Sequence, residues 1–517
     1  MTWPILFPLN ITGGGNSKEL DKLSMSNIDT SSKSKRNRLY GHVLVGWLFY
    51  GFVLYMVLRE CIFYINLRQA FLLAPQHARR ISSRTVLFTC VPETYLVEER
   101  LRTLFANSAK HIWVTRDTTE LDELVEERTK VAMRLEKAEV SLLKLCNKER
   151  LKATKKGAST EKTPPALDAE SGSVAARWIP DKKRPSHRLG PLGLIGKKVD
   201  TIEWCRTELQ RLIPRVETAQ GNYKALDPKA TPAVFIEFHT QSDAQAAFQV
   251  LAHHQPLHMI PKYIGVRPEE VIWKNLKLSW WQRILRRYAV VAFITALVIF
   301  WAVPVAFVAA ISQISYLTDT FKWLSFINDI PKTVLGFITG LLPSVALAIL
   351  MALVPVIMRV CGKLSGEPTE SRVELFTQNS YFAFQVVQVF LVTTIAGGAT
   401  TVFGQLDQLK DLASQPAKIF DTVASALPKA SNFYINFFII QGLTIAVGVM
   451  AQISGFVIFN LMYRFLAKTP RALYSKWTTL TAMSWGKVMP IYTNIAVISK
   501  FYPTGFCLAP VPLPAHL

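Results

Sequence analysis

Hydrophobic residues are concentrated in five stretches that contain no Asp, Glu, Lys or Arg. These stretches are residues 39–58, 288–311, 334–358, 375–403 and 432–463. Each is long enough for a helix that crosses a hydrocarbon core, which takes about 20 apolar residues. Backbone N–H and C=O groups in lipid must form their hydrogen bonds within the segment, so such runs predict helices rather than isolated strands. The pattern therefore predicts a multi-pass α-helical membrane protein.

The segment between the first two stretches, residues 59–287, has the pattern of a folded α+β domain with an insertion. Short β-rich runs at 85–91, 111–114, 233–238 and 263–266 alternate with helical patterns at 96–105 and 242–254. The order βαβ, insertion, βαβ predicts the ferredoxin-like arrangement that RNA-recognition domains share. In the insertion, an apolar stripe from Leu121 to Leu145 predicts a long helix that needs a partner surface. Residues 157–190, rich in Ser, Pro, Lys and Gly, are predicted to be disordered.

The distribution of basic residues predicts the orientation in the membrane. Residues 464–487 carry five Lys and Arg and no acidic residue, which is typical of a cytoplasmic loop. Residues 312–332 and 404–431 balance acids and bases and are predicted to face outside. Alternation then places residues 59–287 in the cytoplasm and 1–38 outside, although Lys33, Lys35, Arg36 and Arg38 oppose this orientation. The sequon Asn10-Ile11-Thr12 falls on the outer side, so Asn10 is a glycosylation candidate.

The net charge of +22 raises the alternative of a nucleic-acid-binding protein. In and just before the run at 233–238, however, Ala233 and Thr231 occupy the positions where an RNA-recognition domain would carry an aromatic and a basic residue. Basic flanks of membrane spans explain the charge better, and no nucleic-acid partner is expected. The six cysteines show no CxxC spacing, and HExxH, Walker and GxGxxG motifs are absent from positions where catalysis would need them. We therefore expect neither a metal or cofactor site nor an enzyme.

Several sequence segments match a known family in the same order along the chain. Among them are Tyr288-Ala-Val-Val-Ala-Phe, Glu374-Leu-Phe-Thr-Gln-Asn-Ser and Pro428-Lys-Ala-Ser-Asn432, all within residues 273–497. Residues 2–8 and 85–92 match as well. Through these segments the chain resembles the hyperosmolality-gated, calcium-permeable cation channels, called OSCA channels in plants and calcium-permeable stress-gated cation channels more generally. The fungal members of this family are the most similar.

The resemblance implies eleven membrane helices, a pore lined by helices that follow the cytoplasmic domain, and a fold similar to that of scramblase-type calcium-activated channels. In this plan residues 1–38 hold the end of a truncated second helix and an extracellular loop, and the chain supplies the next five helices. The sixth candidate, residues 488–499, is too short to cross a bilayer, and a divergent Pro-rich tail, residues 500–517, follows it. We therefore expect a chain truncated at both ends.

The function that the resemblance implies is a mechanically or osmotically gated, calcium-permeable, non-selective cation channel. A plasma-membrane location is expected, with an endomembrane as the alternative. The expected partners are membrane lipids and permeant cations including calcium, with a homodimer as a candidate assembly. A lipid scramblase of similar fold and a non-conducting membrane scaffold or fragment remain as alternatives.

Polar residues at helical spacing mark one face of two predicted spans. Such groups usually face a bundle interior or a water-filled path, because they are costly in lipid. The family's pore position favours ion lining, whereas interhelical hydrogen bonding is the alternative. No dense acidic ring is visible, so calcium permeation is implied by the family alone. The pore-lining candidates are Glu374, Gln378, Tyr381, Gln385, Gln388, Tyr434, Gln441 and Gln452.

Two further groups of residues suggest how such a pore opens. Gly442 and Gly448 are hinge candidates in the fifth span, although glycines also serve close helix packing. A lipid-interface segment precedes the second span, since indole rings and cations both favour the headgroup layer. Its candidate residues are Trp280, Trp281, Arg283, Arg286 and Arg287.

Overall fold

The computed structural model describes residues 3–16, 22–23, 27–29, 31–105, 108–155, 178–190, 196–301, 303–305, 349–392, 442–443, 447–448, 450–466, 469–478 and 484–501. Its longer helices are α1 (Trp3–Ile11), α2 (Leu39–Leu73), α3 (Glu98–Phe105), α4 (Thr119–Lys155), α5 (Thr201–Lys224), α6 (Gln241–Gln249), α7 (Trp280–Phe300), α8 (349–364), α9 (Glu370–Phe384), α10 (Ile453–Leu461), α11 (Pro470–Thr478) and α12 (Trp485–Phe501). Short helical turns cover Lys33–Arg36, Pro75–Ala78, Ile81–Arg84, Glu93–Tyr95, Asp181–Lys183, Pro268–Glu270 and Trp273–Leu276, and π-helical segments cover Gln385–Val392 and Met462–Leu466. The strands are β1 (Thr85–Thr89), β2 (Ala109–Arg116), β3 (Ser186–Arg188), β4 (Lys198–Asp200), β5 (Ala230–Phe238) and β6 (Lys262–Ile264).

Within these described ranges, two helices are long and apolar enough to cross a membrane, Lys33–Leu73 and Trp280–Val305. They correspond to the predicted spans at 39–58 and 288–311. The first helix does not end at residue 58 but continues to Leu73, because charged residues end an apolar stretch without ending a helix. The predicted spans at 334–358, 375–403 and 432–463 lie partly outside the described residues. The sixth candidate belongs to α12, which begins at Trp485, before the predicted residue 488.

The described chain divides into two compact units, and the first comprises residues 1–113, 232–449 and 483–517. It contains a four-stranded sheet in the order β2-β5-β1-β6. Strand β1 is antiparallel to both neighbours, with Leu87 opposite Phe235 on one side and Tyr263 on the other. The predicted runs at 85–91, 111–114, 233–238 and 263–266 all coincide with strands of this sheet. The predicted order βαβ, insertion, βαβ is therefore confirmed.

Both faces of this sheet are covered by the chain itself. On one face, Phe105 from α3 packs against Phe88 and Phe238, with ring centroids 5.3 Å and 5.6 Å apart. On the other face, the segment after β6 covers Leu87, Ala233 and Tyr263 with Val271 and Leu276, and Trp273 packs against Phe235. An RNA-recognition domain would use this second face to stack bases. In this chain the face is part of the hydrophobic core.

The segment after β6 joins the sheet to the connection between α8 and α9. Ile272 N donates to Pro368 O at 2.8 Å, and Val271 forms a β-bridge with Thr369. The Asn275 side-chain amide donates to Lys363 O at 2.9 Å and to Glu367 O at 2.7 Å. Because the Asn275 side chain is buried, these two bonds are shielded from water. The sheet and this connection are therefore held together by backbone and amide hydrogen bonds.

The second unit comprises residues 114–231 and 450–482 and is built on the long helices α4 and α5. The predicted stripe on α4 is confirmed, since Leu124, Val131, Ala138 and Leu142 are its buried residues. Its partner surface is α5, which contributes Ile202, Cys205 and Leu212 to the shared clusters. In the same unit, Arg471 Nε on α11 lies 3.1 Å from Glu136 Oε2 on α4.

The disorder predicted for residues 157–190 is wrong for residues 178–190. Strand β3 pairs with β4 in a small antiparallel ladder. Trp178 and the buried Ile179 pack into the cluster between α4 and α5, and these apolar contacts order the segment. The preceding residues, 156–177, lie outside the described ranges.

Candidate ion pathway

The candidate pathway is formed where α7, α8, α9 and α12 pack together. Their contact is apolar: Val290, Ile294 and Val298 from α7 meet Val354 and Met358 from α8. Further members of this cluster are Trp301, Cys361, Tyr381 and Phe384, with Ile491 from α12 packed against it. The predicted amphipathic spacing of α9 thus places its polar stripe beside three neighbouring helices rather than towards lipid.

At one end of this helix cluster, Glu374 on α9 is the centre of a charged group. Its Oε1 accepts from Arg359 Nε on α8 at 2.7 Å, and the Arg359 Nη2 atom is also 2.7 Å away. Arg359 Nη2 donates to Ser484 Oγ at 2.6 Å, and the Gly486 backbone N–H donates to Glu374 Oε2 at 3.1 Å. Since Glu374 accepts from the first residues of α12, its negative charge is stabilised by the positive end of that helix. Glu374 therefore links three helices in this structure.

The middle of the stripe forms a second, neutral group. Tyr381 and Gln385 are both buried, and Gln385 Nε2 donates to the Tyr381 hydroxyl at 2.7 Å. Buried Asn494 on α12 donates its amide to Gln385 O at 3.5 Å, and Gln388 donates to Val298 O on α7. The Asn494 and Gln388 bonds are interhelical, which is the alternative left open by the sequence, whereas the Gln385–Tyr381 bond lies within one continuous helical segment. Gln378, one turn from Tyr381, is half-buried.

A change of helix type follows α9 and was not predicted. Residues Gln385–Val392 form a π-helical segment, which includes Gln385 and Gln388. A π-helix has hydrogen bonds between residues five apart, is rare in proteins and frequently occurs at functional sites. The sequence gives no sign of it, because the stripe retains ordinary three- and four-residue spacing. The π-helical segment therefore lies at the level of the buried Gln385 and the half-buried Gln388.

The candidates of the fifth span are only partly described. Tyr434 and Gln441 lie outside the described residues. Among the described residues, no heavy atom lies within 4 Å of a Cβ atom added at Gly442 or Gly448. Gln452 adopts a left-handed conformation, with φ 46° and ψ 32°, directly before α10. Since such a backbone is strained for any residue with a side chain, the helix is interrupted at Gln452.

The lipid-interface segment begins α7. The Gln282 side chain accepts from Ser279 N at 3.2 Å, which satisfies a backbone donor at the point where the helix starts, before Trp280. Trp280, Trp281, Arg286 and Arg287 are exposed. Arg283 is different, because it faces the sheet and donates from Nη1 to Thr89 Oγ1 at 2.9 Å.

Two other observations concern sites outside the helix cluster. The Asn10 side chain is buried and donates from Nδ2 to Leu23 O at 2.7 Å, so a glycan on this nitrogen would require local rearrangement. Tyr263 lies buried beneath the Arg372 guanidinium, 5.5 Å from its ring centre, and burial raises the pKa of Tyr263 to about 12. Within the described ranges, no group of three or more His, Cys, Asp or Glu could hold a metal ion.

Three family models match consecutive parts of the chain. Residues 286–515 match "Calcium-dependent channel, 7TM region, putative phosphate", and residues 83–275 match "Cytosolic domain of 10TM putative phosphate transporter". Residues 1–60 match "Late exocytosis, associated with Golgi transport". The matches to a seven-helix membrane region and to a cytosolic domain define a multi-pass membrane protein with a cytosolic domain. The chain belongs to the family of calcium-permeable stress-gated cation channels, which includes the OSCA channels.

Relatives in fungi and plants cover nearly the whole chain. The "Uncharacterized protein RSN1" of Saccharomyces cerevisiae is 40% identical over 97% of the chain and 50% of its own length. "Phosphate metabolism protein 7" of the same yeast is 35% identical over 99% of the chain and 50% of its own length. The "Hyperosmolality-gated Ca2+ permeable channel 1.4" of Arabidopsis thaliana is 26% identical over 99% of the chain and 60% of its own length. The chain spans about half the length of the two yeast relatives.

Proposed function

We propose that this chain contributes to a passive, calcium-permeable, non-selective cation pathway that opens under membrane tension or osmotic stress. The observation that carries the proposal is a row of neutral polar groups, the buried Tyr381 and Gln385 and the half-buried Gln388, between apolar helices that follow the cytosolic domain. Neutral amides can replace water around a cation without binding it too tightly. The names of the plant relatives, which describe Ca2+-permeable channels, support the ion class. No catalytic step is proposed for the chain.

In this proposal the structure corresponds to a non-conducting arrangement. Gln385 donates to Tyr381, and Gln388 donates to a backbone carbonyl of α7, so these amides are engaged with protein instead of an ion. Opening exchanges these bonds for bonds to water and permeant ions. The π-helical segment and the break at Gln452 are the positions at which helices can change direction. They supplement Gly442 and Gly448 as hinge candidates.

We further infer a ferredoxin-like fold for the sheet domain, supported by the order β2-β5-β1-β6 and by antiparallel pairing of β1 with β5 and β6. The cytoplasmic position of this domain agrees with its match to a cytosolic-domain model. A plasma-membrane or endomembrane location, direct lipid contact and a homodimer remain part of the proposal. The match of residues 1–60 to a Golgi-transport model favours an endomembrane.

The test measures single-channel current in a full-length family channel that contains this chain. Replacing Gln385 and Gln441 by Leu is expected to lower unitary conductance without changing surface expression, because each change removes a polar group from the pathway. Leu375→Ala, at an exposed position of α9, is the matched control and is expected to leave the current unchanged. Unaltered current in both Gln variants would exclude these residues from the pathway.

A parallel flux assay separates conduction from lipid scrambling. Liposomes that contain the protein would be loaded with a calcium dye in one sample and with fluorescent lipids in another. Calcium entry without lipid exchange supports the channel. Lipid exchange without calcium entry supports the scramblase, and neither signal supports the scaffold.

A further inference from the structure

The cytosolic half of α2 exposes apolar side chains on all of its faces. Every residue from position 57 to 71 is exposed, which corresponds to about four helical turns. Among them, Phe63 and Tyr64 are each 63% exposed, and Phe71 is 55% exposed. Such a surface is unfavourable in water, because each large apolar side chain loses about 1.5–3 kcal/mol when it is left solvated.

The arrangement of these side chains indicates the kind of partner. Ile62, Phe63, Tyr64 and Ile65 are consecutive, and successive helical residues point about 100° apart. All four are at least 49% exposed, so the apolar surface surrounds the helix axis. A neighbouring helix or a docked protein covers one stripe and leaves a polar face. Acyl chains, by contrast, cover a helix from every side.

The length of α2 agrees with a position inside the bilayer. Its 35 residues extend about 52 Å, whereas a bilayer including its headgroup layers is about 40–45 Å thick. A tilt of about 35°, within the range seen for membrane helices, reduces the span to about 43 Å. The complete helix therefore fits between the two headgroup surfaces, with Leu73 at the cytosolic surface.

The charged residues of this half also suit a lipid environment. Arg59 and Glu60 form an ion pair at 2.7 Å, so together they carry no net charge. Arg68 lies one to two turns from the end of the helix, where a long basic side chain reaches the headgroups. The surface is continuous with the apolar stretch 39–58 of the same helix, and this helix is long and apolar enough to cross a membrane.

We propose that residues 61–71 of α2 form a lipid-binding surface within the cytosolic leaflet, and that the Arg59–Glu60 pair lies below the headgroups. The occupant of this surface is bilayer lipid. The membrane-embedded part of α2 consequently reaches the start of the cytosolic sheet domain, since only residues 74–84 separate Leu73 from β1.

The test uses spin labels in the complete chain, reconstituted in liposomes after replacement of the native cysteines. Labels would be attached one at a time at Ile62, Phe63, Tyr64 and Ile65, and their collision rates with oxygen and with a water-soluble nickel chelate would be measured. Lipid contact predicts high oxygen and low nickel collision at all four positions, similar to a label at Leu48. High nickel collision, similar to a label at the exposed Leu143 on α4, would show that the segment lies in water. Low collision with both reagents at one or two positions would show a protein partner. Contact with water or contact with a protein partner would each overturn the proposal.

A second measurement covers the case in which the cysteine-free variant does not fold. Cys61 is exposed on the same surface in the native chain. In membrane vesicles whose cytosolic surface faces the medium, a charged maleimide is expected to leave Cys61 unmodified. Cys61 should become labelled after the protein is denatured. Rapid modification in intact membranes, detected by peptide mass mapping, would contradict lipid burial.

Discussion

Gly486 stands at the start of α12, where this helix approaches α9 closely. A Cβ atom at this position would lie 2.7 Å from Glu374 Oε2 and 3.0 Å from Glu374 O. Gly486→Ala is therefore expected to lower the free energy of unfolding by about 1–3 kcal/mol, because the clash displaces Glu374 from Arg359. Thermal unfolding of the purified protein in detergent provides the measurement. Gly442→Ala is the matched control, since no heavy atom lies within 4 Å of its Cβ position, and an equal loss in both variants would rule out the close contact as the cause.

Tyr263 gives a prediction about pH. Burial raises its pKa from 10 to about 12, so between these values the unfolded chain loses the phenolic proton while the folded chain retains it. The contribution of Tyr263 to the free energy of unfolding is therefore fully present below pH 10. It is lost as the pH rises towards 12, by about 2–3 kcal/mol in total. Tyr263→Phe removes this dependence. The stability difference between wild type and variant should therefore change between pH 9.5 and 11.5, and a constant difference would contradict the raised pKa.

The first turn of α7 is the part of the structure that we expect to respond to membrane tension. Trp280 and Trp281 are exposed at the first turn, while Arg283 holds the same turn to Thr89 of the sheet. If tension changes the headgroup layer, an interfacial anchor shifts relative to the span that follows. Changing both Trp residues to Ala in a full-length channel should alter the tension for half-maximal opening and leave unitary conductance unchanged. Patch-clamp recording under stepped pressure provides the measurement.

The control for this prediction is Trp113→Ala, an exposed indole on β2 of the sheet. It should leave the activation curve as it is, because the sheet domain matches a cytosolic model. An unaltered curve in the Trp280 and Trp281 variant, with normal insertion, would leave the pair as a fixed depth marker only.

Sequence patterns predicted the strands and helices that bury one apolar face. Alternating apolar residues located all four strands of the larger sheet, and the stripe on α4 located its contact with α5. The end of α2 was not predictable from charge, because Arg59 and Glu60 are compatible with a helix. The π-helical segment and the left-handed Gln452 leave no periodic signal in the sequence. Likewise, the spacing of Glu374 and Gln385 predicted a shared face, but their partners Arg359 and Asn494 come from distant segments.

The orientation of the chain in the membrane gives a prediction about antibody access. An epitope tag within residues 404–431 should be accessible to antibody on unpermeabilised cells or sealed right-side-out vesicles. A tag within residues 157–190 should become accessible only after permeabilisation. Both expectations follow from the excess of basic residues in 464–487. The opposite labelling would reverse the assigned topology.

The two ends of the insertion between β2 and β5 lie side by side. Asp117 N donates to Lys229 O at 2.9 Å, and the Thr115 and Thr231 hydroxyls are hydrogen-bonded to each other. The residues between them therefore leave and re-enter the sheet at one point, as the two ends of a tight turn do. Because the two ends stay close whatever lies between them, a longer or shorter insertion is compatible with the same hydrogen-bond register of β2 and β5.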